Sequence, residues 1–261
     1  PDALKKAIEK ADADIQDAKK NTKAATWLNR GKAYAEAGAA PNKGLYKDLP
    51  ETDLVAAHGK ETQRVQKTVG SNTYDARVYP NFTAYMNGVL VAFWEPQLVV
   101  ADNALETAYE SYAKAYELDP KSASKVKEGI ESIANEFRKN ADNFFALQNY
   151  AKTGYSFEKS YDVLLHPAVN SIDTVSLYYA GMFYTFANEF DKGAELLEKA
   201  LGYGYEADGD TYYYLYFCYV GREQNEKAKD ILTEGIKKYP GNTRIVEGLV
   251  GIYSVVEGSD P

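Results

Sequence analysis

The feature that most limits what this chain can fold into is a helix-pair pattern that returns about every 34 residues. In the clearest copy, two pairs of residues lie four apart on a helical face: Leu215 with Tyr219, and Ala228 with Leu232. Gly221 falls where the first helix should end, and Pro240 follows the second. This spacing predicts helices that pack on their neighbours in sequence rather than around one large core.

Weaker copies precede and follow the clearest one. One period earlier, the same positions hold Leu177, Gly181, Tyr184, Phe190, Leu197 and Ala200. A further period back they hold Phe144, Leu147, Ala151, Phe157, Ser160 and Leu164. In that copy Gly154-Tyr155 indicates the turn between the helices. After the clearest copy, a helix over about Thr243 to Val256 carries Leu249 and Tyr253. It is half a repeat, which indicates a cap or a truncated array.

The first copy is split. Its first helix is marked by Trp27, Gly31, Tyr34 and Gly38, with Arg30 where leucine is expected. Its second helix matches only at Leu105, Ala108, Tyr112, Ala115 and Pro120. The intervening residues are therefore interpreted as an insertion into the turn of the first repeat. Before the split copy, Asp2 to Lys19 carries a helical apolar stripe typical of a capping helix.

These phased copies resemble the tetratricopeptide repeat (TPR) family. The split first unit, followed by a long helix such as Ser122 to Lys139, is also similar to exported repeat proteins of Bacteroidetes-type bacteria. The resemblance implies an all-α fold, a right-handed superhelix of stacked helix pairs that carries a long insertion. It also implies a protein or peptide partner, and a periplasmic or otherwise exported location, with a cytoplasmic location as the alternative.

The resulting division is a single helical domain over residues 1–261. Its parts are a capping helix at 1–20, a split first repeat at 24–38 plus 104–120, the insertion at 39–103, repeats at 122–167, 174–206 and 209–241, and a half-repeat at 243–256. A loop as long as the insertion is usually functional or packed as a subdomain. It either closes over a binding groove or forms an extra helical hairpin. The hairpin is favoured because Thr83 to Glu95 could form one buried helix.

The resemblance also implies where a partner would bind, because the first helix of each TPR pair lines the concave surface. The candidate residues are Phe145, Asn149 and Lys152 in the second repeat, Tyr178, Tyr179, Met182 and Phe186 in the third, and Tyr213, Tyr214 and Phe217 in the fourth. An aromatic groove of this kind favours an extended apolar or proline-rich peptide. The alternative is that these rings pack against the insertion or against the next helices. Only Asn149 and Lys152 suit capture of a terminal carboxylate.

Charge and composition narrow the function classes. A net charge of −8 and a pI near 5.0 argue against a nucleic-acid partner. The two histidines, His58 and His166, have no metal-ligand spacing, and Cys218 is predicted to be a buried structural thiol. We therefore predict no enzyme activity, no metal and no cofactor. The sequence begins at Pro1 without a methionine, which indicates a removed signal peptide or an expressed fragment.

Two function classes remain after these exclusions. The first is a peptide- or protein-binding scaffold, placed by the bacterial resemblance in a cell-envelope complex. The second is a structural module that self-associates or stacks through its terminal helices, with Thr243 to Val256 as the contact. An unfamiliar catalytic site inside the insertion is the third and least favoured option.

Overall fold

A computed structural model describes residues 2–257, and the side chains of residues 2–252. The described chain holds eleven α-helices and one four-stranded sheet. It divides into two compact units. The first comprises Pro1–Asn149 and Asp162–Ser171, and the second comprises Tyr150–Tyr161 and Ile172–Pro261.

The helices of the first unit are α1 (Asp2–Gln16), α2 (Ala24–Ala39), α3 (Glu51–His58), α4 (Ala104–Leu118) and α5 (Ala123–Ala146). Helices α2 and α4 pack closely even though the insertion separates them in sequence. Their shared core contains Ala33, Ala37, Leu105 and Ala108, all buried. The three alanines at these positions let the two helix backbones approach each other.

Arg30 stands where the repeat pattern expects leucine, and its charge is matched inside the first unit. Its Nε lies 2.7 Å from Asp12 Oδ1 on α1, and its Nη1 donates to Ser111 Oγ on α4 at 2.8 Å. The guanidinium also lies 4.7 Å from the centre of the Tyr34 ring. The cation therefore joins three helices and is paired with a carboxylate.

The expectation of an all-α chain is wrong in the insertion. Its strands are β1 (Gln63–Val69), β2 (Asn72–Val78), β3 (Phe82–Asn87) and β4 (Leu90–Pro96), paired antiparallel in the order β1-β2-β3-β4. The region expected to be one helix, Thr83 to Glu95, is the β3–β4 hairpin. Gly70 and Gly88 take positive φ angles of 59° and 62° in the two hairpin turns flanking β2 and β3. Glycine adopts this conformation without the steric cost that a Cβ brings.

The β3–β4 hairpin has a helix-like sequence pattern because both of its faces are largely buried. One face contributes Ala76, Tyr85 and Phe93 to a small cluster. The opposite face contributes Phe82, Ala84, Met86, Val91 and Trp94 to a second cluster with Leu54 of α3. Burial on both sides removes the alternation of apolar and polar residues that would indicate a strand.

Directional hydrogen bonds attach the sheet to α5. Trp94 Nε1 donates to Asn42 Oδ1 at 2.9 Å, and Asn42 Nδ2 donates to Asn140 Oδ1 at 2.8 Å. The Trp94 backbone N–H donates to Asn143 Oδ1 at 3.3 Å. These groups are buried or partly buried, so leaving one unpaired would cost about 1–3 kcal/mol.

The helices of the second unit are α6 (Tyr150–Leu164, of which the last three residues belong to the first unit), α7 (Thr174–Phe186), α8 (Phe190–Gly202), α9 (Asp210–Gly221), α10 (Asn225–Lys238) and α11 (Thr243–Glu257). The residues that set the repeat phase are buried here: Leu177, Gly181, Tyr184, Leu197, Leu215 and Leu232. Tyr253, part of the expected half-repeat, has its side chain outside the described residues.

The turn expected at Gly154-Tyr155 lies elsewhere. Helix α5 ends at Ala146 and α6 begins at Tyr150, with Gln148 at a positive φ of 58° between them. Gly154 instead lies inside α6, where an added Cβ would be 3.2 Å from the Ala180 carbonyl oxygen. This glycine serves close packing of α6 on α7 rather than chain reversal.

A tyrosine hydroxyl connects each of two first helices to the preceding second helix. Tyr184 of α7 donates to Glu158 of α6, and Tyr219 of α9 donates to Glu198 of α8 at 2.8 Å. A lysine lies over each ring: Lys192 Nζ is 4.6 Å from the centre of the Tyr184 ring, and Lys227 lies over the Tyr219 ring. Burial and the neighbouring carboxylate raise the pKa of both tyrosines, so each hydroxyl stays protonated and donates.

Candidate functional site

The sequence predicted that the three candidate residues of the second repeat would share one helix. The structure instead places them on two helices and in the turn between these helices. Phe145 lies near the end of α5 in the first unit, with 53% of its surface exposed. Asn149 follows in the turn, and Lys152 lies on α6 in the second unit. Because α5 ends at Ala146, these three residues do not lie along one helix, as the candidates on α7 and on α9 do.

Tyr178 and Tyr214 form an inner aromatic layer between α7 and α9. They are 5% and 7% exposed, and their ring centres lie 6.2 Å apart in an edge-to-face arrangement. Burial, with the charge of Asp210 nearby, raises the pKa of both hydroxyls. These two candidates serve packing, which leaves their ring faces unavailable as binding platforms.

An outer aromatic layer covers this inner one. Tyr179 and Phe186 of α7 are 37% and 43% exposed, and Phe217 of α9 is 40% exposed. Met182 and Tyr213 lie between them and are half-buried. We call these five residues the outer aromatic face; they are Tyr179, Met182, Phe186, Tyr213 and Phe217.

Ring contacts fix the outer aromatic face on the inner layer. Phe186 meets Tyr214 edge to face at 5.5 Å, and Tyr213 meets Phe217 in the same way at 4.9 Å. Tyr179 lies 5.3 Å from Tyr178. Side chains held by such contacts lose little rotamer freedom on binding, so the face is organised before a partner arrives.

Arg244 provides the charge at one end of this face. Its guanidinium lies 6.0 Å and 5.9 Å from the ring centres of Tyr213 and Tyr214. Its Nη1 pairs with Asp210 Oδ2 and donates to Tyr214 Oη at 3.3 Å. The charge is thus paired with one carboxylate and lies over the half-buried Tyr213 ring of this face.

Sequence reasoning missed Arg244 and two further apolar residues. Val175 of α7 and Val220 of α9 are 45% and 41% exposed. They lie four residues before Tyr179 and three after Phe217, so each shares a helical face with an aromatic candidate. That spacing was a usable signal. Arg244 carried none, because its position depends on how α11 returns to α9.

The single cysteine of the chain, Cys218 of α9, is buried. Burial raises the pKa of the Cys218 thiol to about 11, and its Sγ lies 3.0 Å from Thr185 Oγ1. Across residues 2–257, no three His, Cys, Asp or Glu side chains are grouped so as to hold a metal ion. No helix in that same range has both the length and the apolar character needed to cross a membrane.

Comparison with known proteins finds a similarity among solved structures. No family model matches the chain, and no curated protein matches it. Among solved structures, the chain is similar to YrrB, described as a TPR protein with an unusual peptide-binding site. The two are 18% identical over 56% of this chain and 83% of that one, with a TM-score of 0.37.

Proposed function

We propose that this chain is a protein- or peptide-binding scaffold whose binding surface is the outer aromatic face. The observation that carries the proposal is the exposure of three large rings, Tyr179, Phe186 and Phe217, on adjacent helices of one unit. Contiguous exposed apolar surface on a folded protein is characteristic of interaction sites. Aromatic residues are also the commonest binding hot spots.

The chemistry of the face favours an extended peptide with apolar or proline side chains. Rings presented at fixed angles offer slots for such side chains, as in other aromatic-lined peptide grooves. The hydroxyls of Tyr179 and Tyr213 can bond a peptide backbone, and Arg244 supplies a cation at one end. Within this proposal the helix pairs stack as a right-handed superhelix with this face on its concave side.

Peptide selection with matched variants tests the proposal. A displayed library of random and proline-rich peptides is selected on the wild-type protein, and the recovered peptides are titrated against Tyr179→Ala and Phe217→Ala. Each loss should weaken binding about tenfold, as removal of an aromatic hot spot does. Tyr203→Ala is the control, because Tyr203 is 46% exposed in the same unit but lies outside the face. Equal losses in all three variants would contradict the proposal.

Self-association is the second candidate function, and a specific observation favours it. Val246 and Val250 of α11 are 43% and 60% exposed, which gives the last helix an apolar surface that a second copy could cover. Mass measured across a range of protein concentrations tests this. A concentration-dependent dimer that Val246→Lys abolishes supports it, and a monomer at every concentration rules it out.

The proposal also includes a location and two exclusions. An exported position in a bacterial cell envelope follows from the resemblance of the split first repeat, and fractionation of the source cells tests it. A cytoplasmic pool alone would contradict that location. The scaffold is proposed to be non-catalytic. It is also proposed not to bind nucleic acid, on the grounds of its net charge of −8.

A further inference from the structure

A cavity lies on the first unit, between α2 and α5, and has a volume of about 620 Å³. Its floor is Tyr112, which reaches it from α4. Glu36 of α2 and Glu128 of α5 are among the residues that line its two sides. Because all of these residues belong to the first unit, the cavity is a separate site from the outer aromatic face.

Tyr112 reaches the cavity through a gap that two glycines keep open. A Cβ at Gly31 of α2 would lie 2.8 Å from Tyr112 Cε1, and one at Gly129 of α5 would lie 2.4 Å from Cζ. Both distances are too short for any side chain, so the ring passes directly between the two helix backbones. Its far end, which carries the hydroxyl, is thereby brought to the cavity between α2 and α5.

The hydroxyl is the unusual part of this arrangement. Tyr112 is only 7% exposed, yet its hydroxyl has no hydrogen-bond partner among the described residues. A phenylalanine would fill the gap between the glycines equally well. A hydroxyl that lines a cavity at the end of a largely buried side chain, without a protein partner, is suited to a ligand.

The two carboxylates on the walls are weakly paired. Among the described residues Glu128 makes no ion pair, and Glu36 has only a 4.0 Å contact with Lys32. Burial and the negative charges of Glu36 and Glu128 raise the pKa of Tyr112 to about 12, so the phenol stays protonated at neutral pH. The cavity thus offers two anionic acceptors beside a neutral hydroxyl oxygen.

We propose that this cavity binds a primary ammonium group, carried by a lysine side chain or by the amino terminus of a peptide. An ammonium has three N–H donors, and the cavity offers three acceptors: the Tyr112 oxygen and the carboxylates of Glu36 and Glu128. The net charge of −8 also draws cations toward the protein. Lys32 and Lys125 line the same cavity, but Lys32 is 74% exposed and an incoming ammonium displaces its loose contact with Glu36.

Titration with three short probes, followed by nuclear magnetic resonance at the Gly31 and Gly129 amides, tests the proposal. The probes are acetyl-Gly-Lys-Gly-amide, the same peptide with its lysine acetylated, and Gly-Gly-Gly-amide with a free amino terminus. Saturable shifts from the first or the third are expected, and whichever binds identifies the source of the ammonium. The acetylated peptide should cause no saturable shift. Absence of saturable shifts from both ammonium probes would overturn the proposal.

Variants separate ammonium recognition from a general effect on the fold. Tyr112→Phe and Glu128→Gln should each weaken the bound probe by at least about threefold, because each removes an acceptor for a charged donor. Glu131→Gln is the matched control: Glu131 pairs with Lys127 at 3.8 Å on the same helix and does not line the cavity. Lys32→Gln should strengthen binding. Weaker binding in Lys32→Gln, or preference for acetyl-Gly-Glu-Gly-amide, would show an anion site and refute the inference.

Discussion

Gly181 allows α7 and α8 to pack as closely as they do, and replacing it with alanine tests the packing of the second unit. An added Cβ would lie 2.6 Å from Leu197 Cγ and 3.1 Å from both Leu197 N and the Gly193 carbonyl oxygen. Carbon atoms in contact prefer about 3.5–4.0 Å. The Leu197 side chain can rotate, but the two backbone atoms of α8 cannot move without shifting the helix. The substitution must therefore separate α7 from α8 by several tenths of an ångström.

The expected magnitude follows from two opposing effects. Overpacking a core costs about 1–3 kcal/mol, and a clash with backbone places Gly181→Ala near the upper end. Alanine gains about 0.5–1 kcal/mol over glycine inside a helix. We expect a net loss of about 2 kcal/mol in the free energy of unfolding, or a Tm lower by about 4–8 °C. The larger side chain in Gly181→Leu should be worse.

Urea unfolding followed by circular dichroism measures this loss, and Gly202→Ala is the control. Gly202 is the last residue of α8, and an added Cβ there meets nothing within 4 Å. That variant should keep or raise stability, so the two glycine-to-alanine changes should have opposite signs. If Gly181→Ala leaves the unfolding free energy unchanged, the close contact between α7 and α8 is not as described.

Two further predictions concern buried titratable groups. His166 lies against the rings of Tyr109 and Tyr116, and burial lowers its pKa below the ordinary histidine value of 6.5. As the pH falls, His166 is therefore protonated more readily in the unfolded chain than in the folded one. The free energy of unfolding should consequently fall as pH drops below about 6.5. Urea midpoints at about pH 7.5 and pH 5.5 measure this, and His166→Phe should reduce the difference. Cys218, whose thiol pKa is raised by burial, should react with a thiol reagent only after unfolding; rapid labelling of the native protein would contradict its burial.

The helical part of the fold could be predicted because it depends on local spacing. Leu177, Leu197 and Leu215 recur with the repeat and are all fully buried. The same spacing placed Tyr178 and Tyr179 on one helix, but it could not decide which ring faces inward. The structure gives that role to Tyr178 and leaves Tyr179 exposed, since neighbouring residues on a helix point about 100° apart.

The sequence analysis did not predict the sheet, because the strongest local indication of it is only two residues long. Asn87-Gly88 between two apolar runs is typical of a hairpin turn, and it lies inside the segment interpreted as one helix. The prediction at Gly154 was wrong in the opposite direction. This glycine was interpreted as a turn, whereas it lies inside a helix and allows close helix packing. The sequence placed Tyr112 on a helix, where it lies, yet the cavity that its hydroxyl reaches depends on three helices meeting, which no local pattern reports.

The long stretch of sequence between the packed helices α2 and α4 has a consequence for the order in which the chain folds. In the second unit, α7 and α8 are joined by residues 187–189, so partner helices can meet as soon as both are made. Helix α2 must instead wait for α4, across residues 40–103. Closing so long a loop costs more chain entropy than closing a tight turn, and distant contacts form slowly.

During synthesis this delay lasts on the order of seconds, because a ribosome adds about 5–20 residues per second. Throughout that interval Ala33, Tyr34 and Ala37 lack the α4 surface they later pack against. We expect the second unit, although made last, to fold more quickly than the first once it has emerged. The nascent amino-terminal half is then the stretch that most needs protection from association with other chains.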